Sequence, residues 1–362
     1  MEMFIDELRQ SGVDEDRILS MNLDDAELMI STHTDLIDVV NSRIGDLEGA
    51  YLFFDEIQNI PEWERAIATF HLHRADIYIT GSNSNMLSTE LSTRLSGRCI
   101  EIRMHTLSFS EYIKFREIED KDRLLEDFIH FGGFPAVSLS MDRMPKQTMG
   151  ILDGIYNTVF TKDVQNRHEI RNNTLMRDLC TCLMKNIGDR TSIRGIANYI
   201  TSKGSRTQPQ TIDQYIGFLE EALLFSRARR LDSKTKDYLR TSDKFYVGDV
   251  GVRNCLLPFH PNDLDGIIEN IVYNELAYRH GDVATYDVNG HEVDFVADPV
   301  GMPSYYQVSL SIMDRMTRER IIRSLKAIDD NYPKTIITYE RYPMDDIDGI
   351  RIVQLKDWLL EF

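Results

Sequence analysis

The sequence predicts an α/β fold with a parallel sheet in its first third. Apolar runs of strand length alternate there with segments whose apolar residues recur at helical spacing, which is the pattern of strand–helix–strand units. Two of the runs end in polar residues: Asp55-Glu56 follows the run Leu52–Phe54, and Gly81–Asn85 follows Ala75–Thr80. Because open α/β sheets bind ligands at the carboxyl ends of their strands, we expect a ligand site among these residues.

The predicted elements follow one another closely. They are a helix over residues 1–12, a strand over Ile18–Leu23, a helix from Asp25 toward Val40, a strand over Leu52–Phe54, a helix over Trp63–His71, and strands over Ala75–Thr80 and Cys99–Met104. Gly12 stands where a C-terminal cap is expected, and Asp25 is a residue type that caps helix N-termini. Residues 111–165 have mainly helical spacing, interrupted by a break at Phe131–Pro135.

The composition is that of a protein with hydrophobic cores and no membrane anchor. At 362 residues, 42% of them apolar, the chain is long enough for two or three domains. No apolar stretch approaches the roughly 18 residues needed to span a bilayer, and the four cysteines predict neither a zinc site nor a disulfide framework. We therefore expect a cytoplasmic protein. The net charge of −18 excludes broad affinity for nucleic acid, although a local basic patch can still bind it.

Asp55 and Glu56 have the pattern of a Walker B motif, the acidic half of a nucleotide-hydrolysing site. A buried strand that ends in Asp-Glu delivers one carboxylate to Mg²⁺ and a second to the attacking water. The other half, a Walker A loop, requires Gly-Lys-Ser/Thr to cradle the phosphates, and none of the 20 glycines is followed by lysine. The alternative interpretation is a solvated acidic turn after a buried strand, which a lone Asp-Glu pair would favour.

Three segments in this order, FFDEIQNIPEWE, ITGSNSNMLSTELSTRLSGR and LSFSEY, resemble the bacterial and archaeal AAA+ ATPases that carry a C-terminal domain of unknown function. The resemblance implies a P-loop NTPase-like core over residues 1–110 that uses ATP and Mg²⁺. It assigns Asp55 to Mg²⁺ and Glu56 to the attacking water. It also assigns Ser82 or Asn83 to the sensor of the γ-phosphate.

Two arginines that follow the sensor, Arg94 and Arg98, match positions at which this family places an arginine finger. The resemblance does not say which of the two would act. The alternative is that both lie at a solvent-exposed helix end or pair with nearby acids such as Glu90 and Glu101.

In this family a strand and a GKS/T loop precede these elements, and this chain resembles a member that begins immediately after that loop. We expect that the chain as it stands does not hydrolyse ATP, because the loop is the main cradle of the triphosphate. Since the P-loop strand lies in the middle of the sheet, either its two neighbours close together, or another segment fills the gap, or the gene product starts upstream of Met1. The alternative function is a non-catalytic module that binds protein or nucleic acid.

The same resemblance implies a helical lid over 111–170 and a winged helix over 171–260. Helical spacing over Ile193–Ile200 and Thr211–Leu219, joined by a polar turn, predicts a helix–turn–helix. The runs Leu223–Arg230 and Lys244–Val247 suit a β-wing. Local positive charge for nucleic-acid contact comes from Arg194, Lys203, Arg206, Arg227, Arg229 and Arg230. Docking to protein is the open alternative.

The last domain, 261–362, resembles the PD-(D/E)XK nuclease-like fold. A helix with Glu269 and Glu275, a strand with Asp294 and a second strand with Gln307 have the order of its acidic residues. In active members Asp and Glu hold a divalent cation, and a lysine stabilises the nucleophile or the developing charge. Here Gln307 stands in place of Glu and Ser309 in place of Lys, so we expect a retained fold without nuclease activity.

Overall fold

The structure is a computed structural model that describes residues 1–82, 99–143, 147–170, 172–232 and 238–361 of the chain. The chain divides into two compact units, Met1–Arg103 and Met104–Phe362. Each unit is built around a sheet of its own. No helix in these described ranges is both long enough and apolar enough to cross a membrane.

The first unit confirms the predicted parallel α/β sheet. Its described strands are β1 (Ile18–Asn22), β2 (Tyr51–Asp55) and β3 (Asp76–Ile79), in the spatial order β1-β2-β3 with both pairings parallel. Its described helices are α1 (Glu2–Gln10), α2 (His33–Arg43) and α3 (Trp63–Leu72). Parallel neighbours need crossover connections, and α2 and α3 supply the two that link these strands.

Side chains of β2 point alternately into two apolar layers. Phe53 packs with Ile5 and Leu8 of α1, whereas Leu52 and Phe54 join the core formed with α2 and α3. All three β2 side chains are buried, and burying each one stabilises the unit by about 1.5–3 kcal/mol. The continuous apolar run of β2 therefore belongs to a strand that is covered on both faces.

The predicted helix from Asp25 toward Val40 starts later than expected. Asp25 caps only a short 3-10 turn, Ala26–Leu28. Helix α2 begins at His33, where Thr32 and Asp35 form a reciprocal capping box. A capping box satisfies two backbone N–H groups at once, so it fixes the helix start more firmly than a single aspartate does.

The predicted strand over Cys99–Met104 is wrong, because these residues lie outside regular secondary structure. The alternation of apolar side chains is present, but Ile100 and Ile102 are 91% and 79% exposed. A strand needs a neighbour for its backbone hydrogen bonds, and within the described residues this segment pairs with none. Apolar spacing alone therefore does not make this segment a strand.

The second unit contains a mixed sheet of eight strands among its described residues. The strands are β4 (Phe225–Asp232), β5 (Tyr238–Val247), β6 (Val283–Val288), β7 (His291–Ala297), β8 (Ser304–Ser309), β9 (Lys334–Thr338), β10 (Asp346–Ile347) and β11 (Ile350–Gln354). Their spatial order is β10-β11-β9-β8-β7-β6-β4-β5.

Helices cover much of the rest of this unit. The described ones are α4 (Phe109–Arg116), α5 (Lys121–Phe131), α6 (Pro135–Arg143), α7 (Thr148–Thr158), α8 (Asn173–Lys185), α9 (Ile193–Ser202), α10 (Pro209–Glu221), α11 (Val250–Leu256), α12 (Leu264–His280), α13 (Arg315–Lys326) and α14 (Leu355–Leu359). A π-helical segment, Val159–Asn166, continues α7.

Two helices and a hairpin lie where the sequence predicts a helix–turn–helix and a wing. They are α9, α10 and the antiparallel pair β4–β5, and β4 also pairs in parallel with β6, with Arg230 opposite Thr285. The hairpin therefore belongs to the same sheet as the last strands of the chain. One apolar cluster extends from Phe109 to Leu359. The division of this unit into lid, winged helix and nuclease-like domain stays a prediction.

A buried carboxylate joins separate segments of the second unit. Asp249, the N-cap of α11, accepts from the N–H of Gly251 at 2.8 Å, and its other oxygen accepts from the N–H of Gly133 at 2.8 Å. The N–H of Leu107 donates to Gly133 O at 3.0 Å. Gly132 has φ +72°, and a Cβ added there would overlap the Asp249 carboxylate. The predicted break at residues 131–135 is thus a turn packed against the start of α11.

Candidate nucleotide site and a buried acidic cluster

The carboxyl edge of the first unit's sheet brings together polar groups from two neighbouring strands. Asp55 is the exposed last residue of β2, and Glu56 follows it in the left-handed region at φ +55°. Thr80 follows β3: its N–H donates to Phe54 O at 2.9 Å, and its hydroxyl donates to Asp55 Oδ1. The N–H of Glu56 lies 3.4 Å from the same hydroxyl oxygen. Thr80 therefore fixes how both acidic residues leave β2.

Gln58 links Glu56 to the residue that follows Gly81. Its Nε2 donates to Glu56 Oε2 and lies 3.3 Å from Ser82 Oγ. Its buried Oε1 has no hydrogen-bond partner within the described part of the chain. Buried polar atoms are normally paired, so this oxygen is an acceptor that a bound water or ligand can satisfy.

The structure brings together those predicted residues of this site that it describes, namely Asp55, Glu56 and Ser82. The remaining ones, Asn83, Arg94 and Arg98, lie outside the described residues, and their roles stay predictions. Sequence reasoning missed Thr80 and Gln58. The position of Thr80 at the end of the third apolar run could have indicated its role. No comparable sequence pattern marks Gln58.

Asp55 is a suitable ligand for Mg²⁺, which binds one or two carboxylates and completes its shell with water and phosphate oxygens. Across the described ranges, no group of three or more His, Cys, Asp and Glu side chains is placed to hold a metal ion. The described residues at this edge therefore do not form a cage made of protein alone.

A second group of charged side chains is buried in the second unit. Lys244 of β5 is only 4% exposed, and its Nζ lies 2.8 Å from Glu269 Oε1 and 2.9 Å from Glu292 Oε1. A third carboxylate oxygen, Asp294 Oδ1, is 3.2 Å away. Glu269 comes from α12, and the other two acids come from β7. Arg190 Nε lies 2.9 Å from the second carboxylate oxygen of Glu292, as an ion pair.

These charges shift one another's pKa values. Burial by itself lowers the pKa of Lys244, but the surrounding carboxylates raise it above its ordinary value. Burial and repulsion from Asp294 raise the pKa of Glu269 to about 8, against the attraction of Lys244. Burial acts to raise the pKa of Glu292, yet Lys244 and Arg190 bring it below its usual value. At neutral pH we expect a charged Lys244 and a proton on Glu269.

Gln307 and Tyr246 complete the cluster. Gln307 Nε2 donates to Asp294 Oδ2, which also accepts from the N–H of Val308 at 2.9 Å. The hydroxyl of Tyr246 donates to Glu269 Oε1 at 2.6 Å. Glu269 and Asp294 are therefore each held by a second side chain as well as by Lys244.

Two other residues of the predicted nuclease-like site point elsewhere. The hydroxyl of Ser309 donates to Ser311 O at 3.0 Å. Glu275 is buried and pairs with Arg279 Nε at 2.7 Å. The residues that the structure does bring together are Glu269, Asp294 and Gln307.

Sequence reasoning did not find Lys244 as a member of this cluster. Lys244 begins the apolar run KFYV, and a lysine at the start of a short strand usually points to solvent. Its acidic partners lie at least 25 residues further along the chain. Only the fold shows that they meet.

Three of the basic residues predicted to contact nucleic acid are exposed. Arg194 lies in the first turn of α9, and Lys203 and Arg206 lie between α9 and α10. Lys203 Nζ lies 5.6 Å from the ring centroid of Tyr199. Helix α10 itself, PQTIDQYIGFLEE, contains acidic residues and neither Lys nor Arg. Any contact with phosphates would therefore come from α9 and the turn.

Two other basic residues of this region are neutralised. Arg227 Nη2 lies 2.9 Å from Asp213 Oδ1 and 3.4 Å from Glu220 Oε2. Arg230 Nη2 lies 2.7 Å from Asp287 Oδ2. Because carboxylates of the same unit compensate these guanidinium groups, they add little to a positive surface.

Comparison with known proteins places these features in a family. Residues 1–113 match the model of an AAA domain, and residues 122–263 match a domain of unknown function, DUF8612. An uncharacterized protein of Haemophilus influenzae is 32% identical over 363 residues, which cover 98% of this chain and 89% of that protein. The uncharacterized protein MJ1544 of Methanocaldococcus jannaschii is 29% identical over 374 residues, covering 96% and 83% of the two chains.

A solved structure, the Walker-type ATPase PABY2304 of Pyrococcus abyssi, aligns with 62% of this chain and 66% of its own at 15% identity, with a TM-score of 0.42. The nearly full-length match to the Haemophilus influenzae protein is the stronger finding. The chain belongs to the family of that protein, an ATPase-like family whose first domain is of the AAA type.

Proposed function

We propose that the first unit supplies the acidic half of an ATP site, with Asp55 as a ligand of Mg²⁺ and Glu56 as the residue that activates water. The observation that carries this proposal is the convergence of Asp55, Glu56, Thr80 and Ser82 at one carboxyl edge of a parallel sheet. The match of residues 1–113 to an AAA domain supports it.

Thr80 and Gln58 act as positioning residues in this proposal. The Thr80 hydroxyl binds one oxygen of Asp55, so the other oxygen is left for a cation. Gln58 binds one oxygen of Glu56, so the remaining oxygen can accept a proton from water. Both contacts hold the acidic groups in place before nucleotide arrives, which reduces the reorganisation needed for catalysis.

The phosphate cradle is not supplied by these 362 residues, because no glycine among them precedes a lysine. Phosphoryl transfer depends almost entirely on positioning and on electrostatic stabilisation of the phosphates. Removing a single preorganised donor from an active site costs about 10²–10³ in kcat. We therefore expect hydrolysis only when a Gly-Lys-Ser/Thr loop completes the site.

The test is calorimetry with Mg²⁺·ATP, together with phosphate release, on this chain and, where the reading frame continues upstream to such a loop, on the extended form. We expect that only the extended form binds and hydrolyses ATP. In that form, E56Q should lower the rate of hydrolysis by about 10²-fold or more. The matched control is E64Q, which changes a half-buried glutamate of α3. If neither form binds ATP, or if E56Q hydrolyses as fast as E64Q, the proposal fails.

A second candidate function is contact with nucleic acid through the segment between α9 and α10. The observation in its favour is the exposure of Arg194, Lys203 and Arg206. Fluorescence anisotropy with a labelled duplex, measured over a range of salt concentrations, tests it. Replacing all three by alanine should weaken binding and reduce the salt slope by up to about 3.

The control for this test removes three exposed cations elsewhere in the second unit, K114A, K121A and R123A. An equal loss in both triple variants would show that net charge alone decides the affinity. Absence of duplex binding by the wild-type chain would leave a protein partner as the remaining interpretation of the helix–turn–helix region.

A further inference from the structure

The nuclease-like resemblance implies a divalent cation held by Glu269, Asp294 and the residue at position 307. The residues present do not fit that role. Position 307 is a neutral glutamine, and its amide nitrogen donates to Asp294. The hydroxyl of Ser309 is turned to a backbone carbonyl two residues away. Strand β8, which contains Gln307 and Ser309, therefore does not supply the ligands that a metal site would need from it.

The centre of the cluster is already filled by a cation, the ammonium group of Lys244. Its Nζ lies within 3.2 Å of oxygens from Glu269, Glu292 and Asp294, and it donates hydrogen bonds to the first and the last of these acids. Divalent cations sit 2.0–2.6 Å from carboxylate oxygens. A cation at such distances from these three groups would overlap Nζ and be repelled by its charge.

The cluster already contains two basic side chains. Lys244 Nζ lies within 3.2 Å of an oxygen of each of the three acids, and Arg190 Nε lies 2.9 Å from Glu292 Oε2. A divalent cation added to this buried cluster would be repelled by both positive charges.

We infer that Lys244 is the resident cation of this cluster and occupies the place that the nuclease-like resemblance assigns to a divalent metal ion. The cluster is thus a metal-free set of ion pairs that links β5 to α12 and β7. Glu269 accepts from both Lys244 and Tyr246, two residues of the same strand. Lys244 therefore supplies the positive charge that a metal ion would supply, and this charge holds β5, α12 and β7 together.

Removal of the Lys244 ammonium group should convert the cluster into a binding site for a divalent cation. K244A leaves three carboxyl groups, those of Glu269, Glu292 and Asp294, around the space that the ammonium group occupied. These are hard oxygen ligands, and Ca²⁺ at 2.3–2.6 Å needs only a modest contraction from the present 2.8–3.2 Å. Ca²⁺ alone is therefore the probe.

The experiment compares thermal unfolding of the full chain with EDTA and with excess Ca²⁺. Wild type should show the same Tm in both. K244A should have a lower Tm than wild type in EDTA and should gain about 5 °C or more with Ca²⁺. The double variant K244A/D294N should lose that gain. K326A, which removes an exposed lysine, should behave as wild type.

Two results would overturn the inference. One is a rise in the wild-type Tm with Ca²⁺ that D294N abolishes, because a metal ion would then be the natural occupant. The other is a folded K244A whose Tm does not respond to Ca²⁺. If K244A is unfolded in EDTA, circular dichroism during a Ca²⁺ titration decides the question: recovery of structure supports the inference, and failure to recover contradicts it.

Discussion

The pH dependence of unfolding can measure how strongly the folded protein favours the protonated form of one buried carboxyl group, that of Asp249. Burial raises the pKa of Asp249 from 3.8 to about 6, although hydrogen bonds from Gly133 and Gly251 favour the charged form. The folded second unit therefore holds the neutral carboxyl more tightly than the carboxylate. The variant D249N keeps the shape of the side chain and removes its titration.

The size of the effect follows from the two pKa values. The difference between about 6 and 3.8 corresponds to about 3 kcal/mol, at 1.36 kcal/mol for each tenfold change in proton affinity. Because folding raises the pKa of Asp249, this stabilisation is complete below pH 3.8 and is lost as the pH rises through 6. Between pH 4 and pH 8 the wild-type free energy of unfolding should fall by about 2–3 kcal/mol relative to D249N.

Urea unfolding of both proteins at a series of pH values measures this difference. Asparagine offers one acceptor oxygen where Asp249 uses two, so D249N should also carry a constant destabilisation of about 1–3 kcal/mol. The control is I271V, which removes a buried methyl group at a cost of about 0.5–1.5 kcal/mol without a titrating group. A difference between wild type and D249N that stays constant with pH, as expected for I271V, would refute the reasoning.

Two further substitutions have matched controls within the chain. G132A should lower the free energy of unfolding by at least about 2 kcal/mol more than G281A: both glycines have positive φ, at +72° and +76°, but only at Gly132 does an added Cβ overlap a neighbour, Asp249. R279M should lower the free energy of unfolding by about 3–5 kcal/mol, because the buried carboxylate of Glu275, 2.7 Å from Arg279 Nε, would lose its partner. K326M breaks an exposed ion pair and should cost less than about 1 kcal/mol. Denaturant unfolding checks both, and equal costs within either pair would contradict the prediction.

The acidic edge of the first unit was predictable because its determinants are local. Asp55 and Glu56 end an apolar run that is buried on both sides, and the end of such a strand is visible in the sequence. The position of Thr80 follows from the end of the next run. The segment Cys99–Met104 was not predictable in the same way, because strand formation depends on a partner that local spacing does not specify.

The acidic cluster of the second unit shows the opposite case. Glu269, Asp294 and position 307 were predicted through the resemblance to the nuclease-like fold, which rests on the order of one helix and two strands. Lys244 was not, because its role depends on β5 meeting α12 and β7, a long-range pairing without a local signature. The absence of a lysine at position 309 was visible in the sequence, but the presence of Lys244 at the centre of the acidic cluster was not.

The parallel pairing of β4 with β6 determines how this protein can be dissected. A fragment that stops after β5 would expose the backbone of an inner strand as a new edge and would lack about a third of the buried residues of a shared apolar cluster. Such fragments are prone to aggregate, so loss of activity in them would report misfolding. Roles of the helix–turn–helix region are therefore best separated by point substitutions in the intact chain.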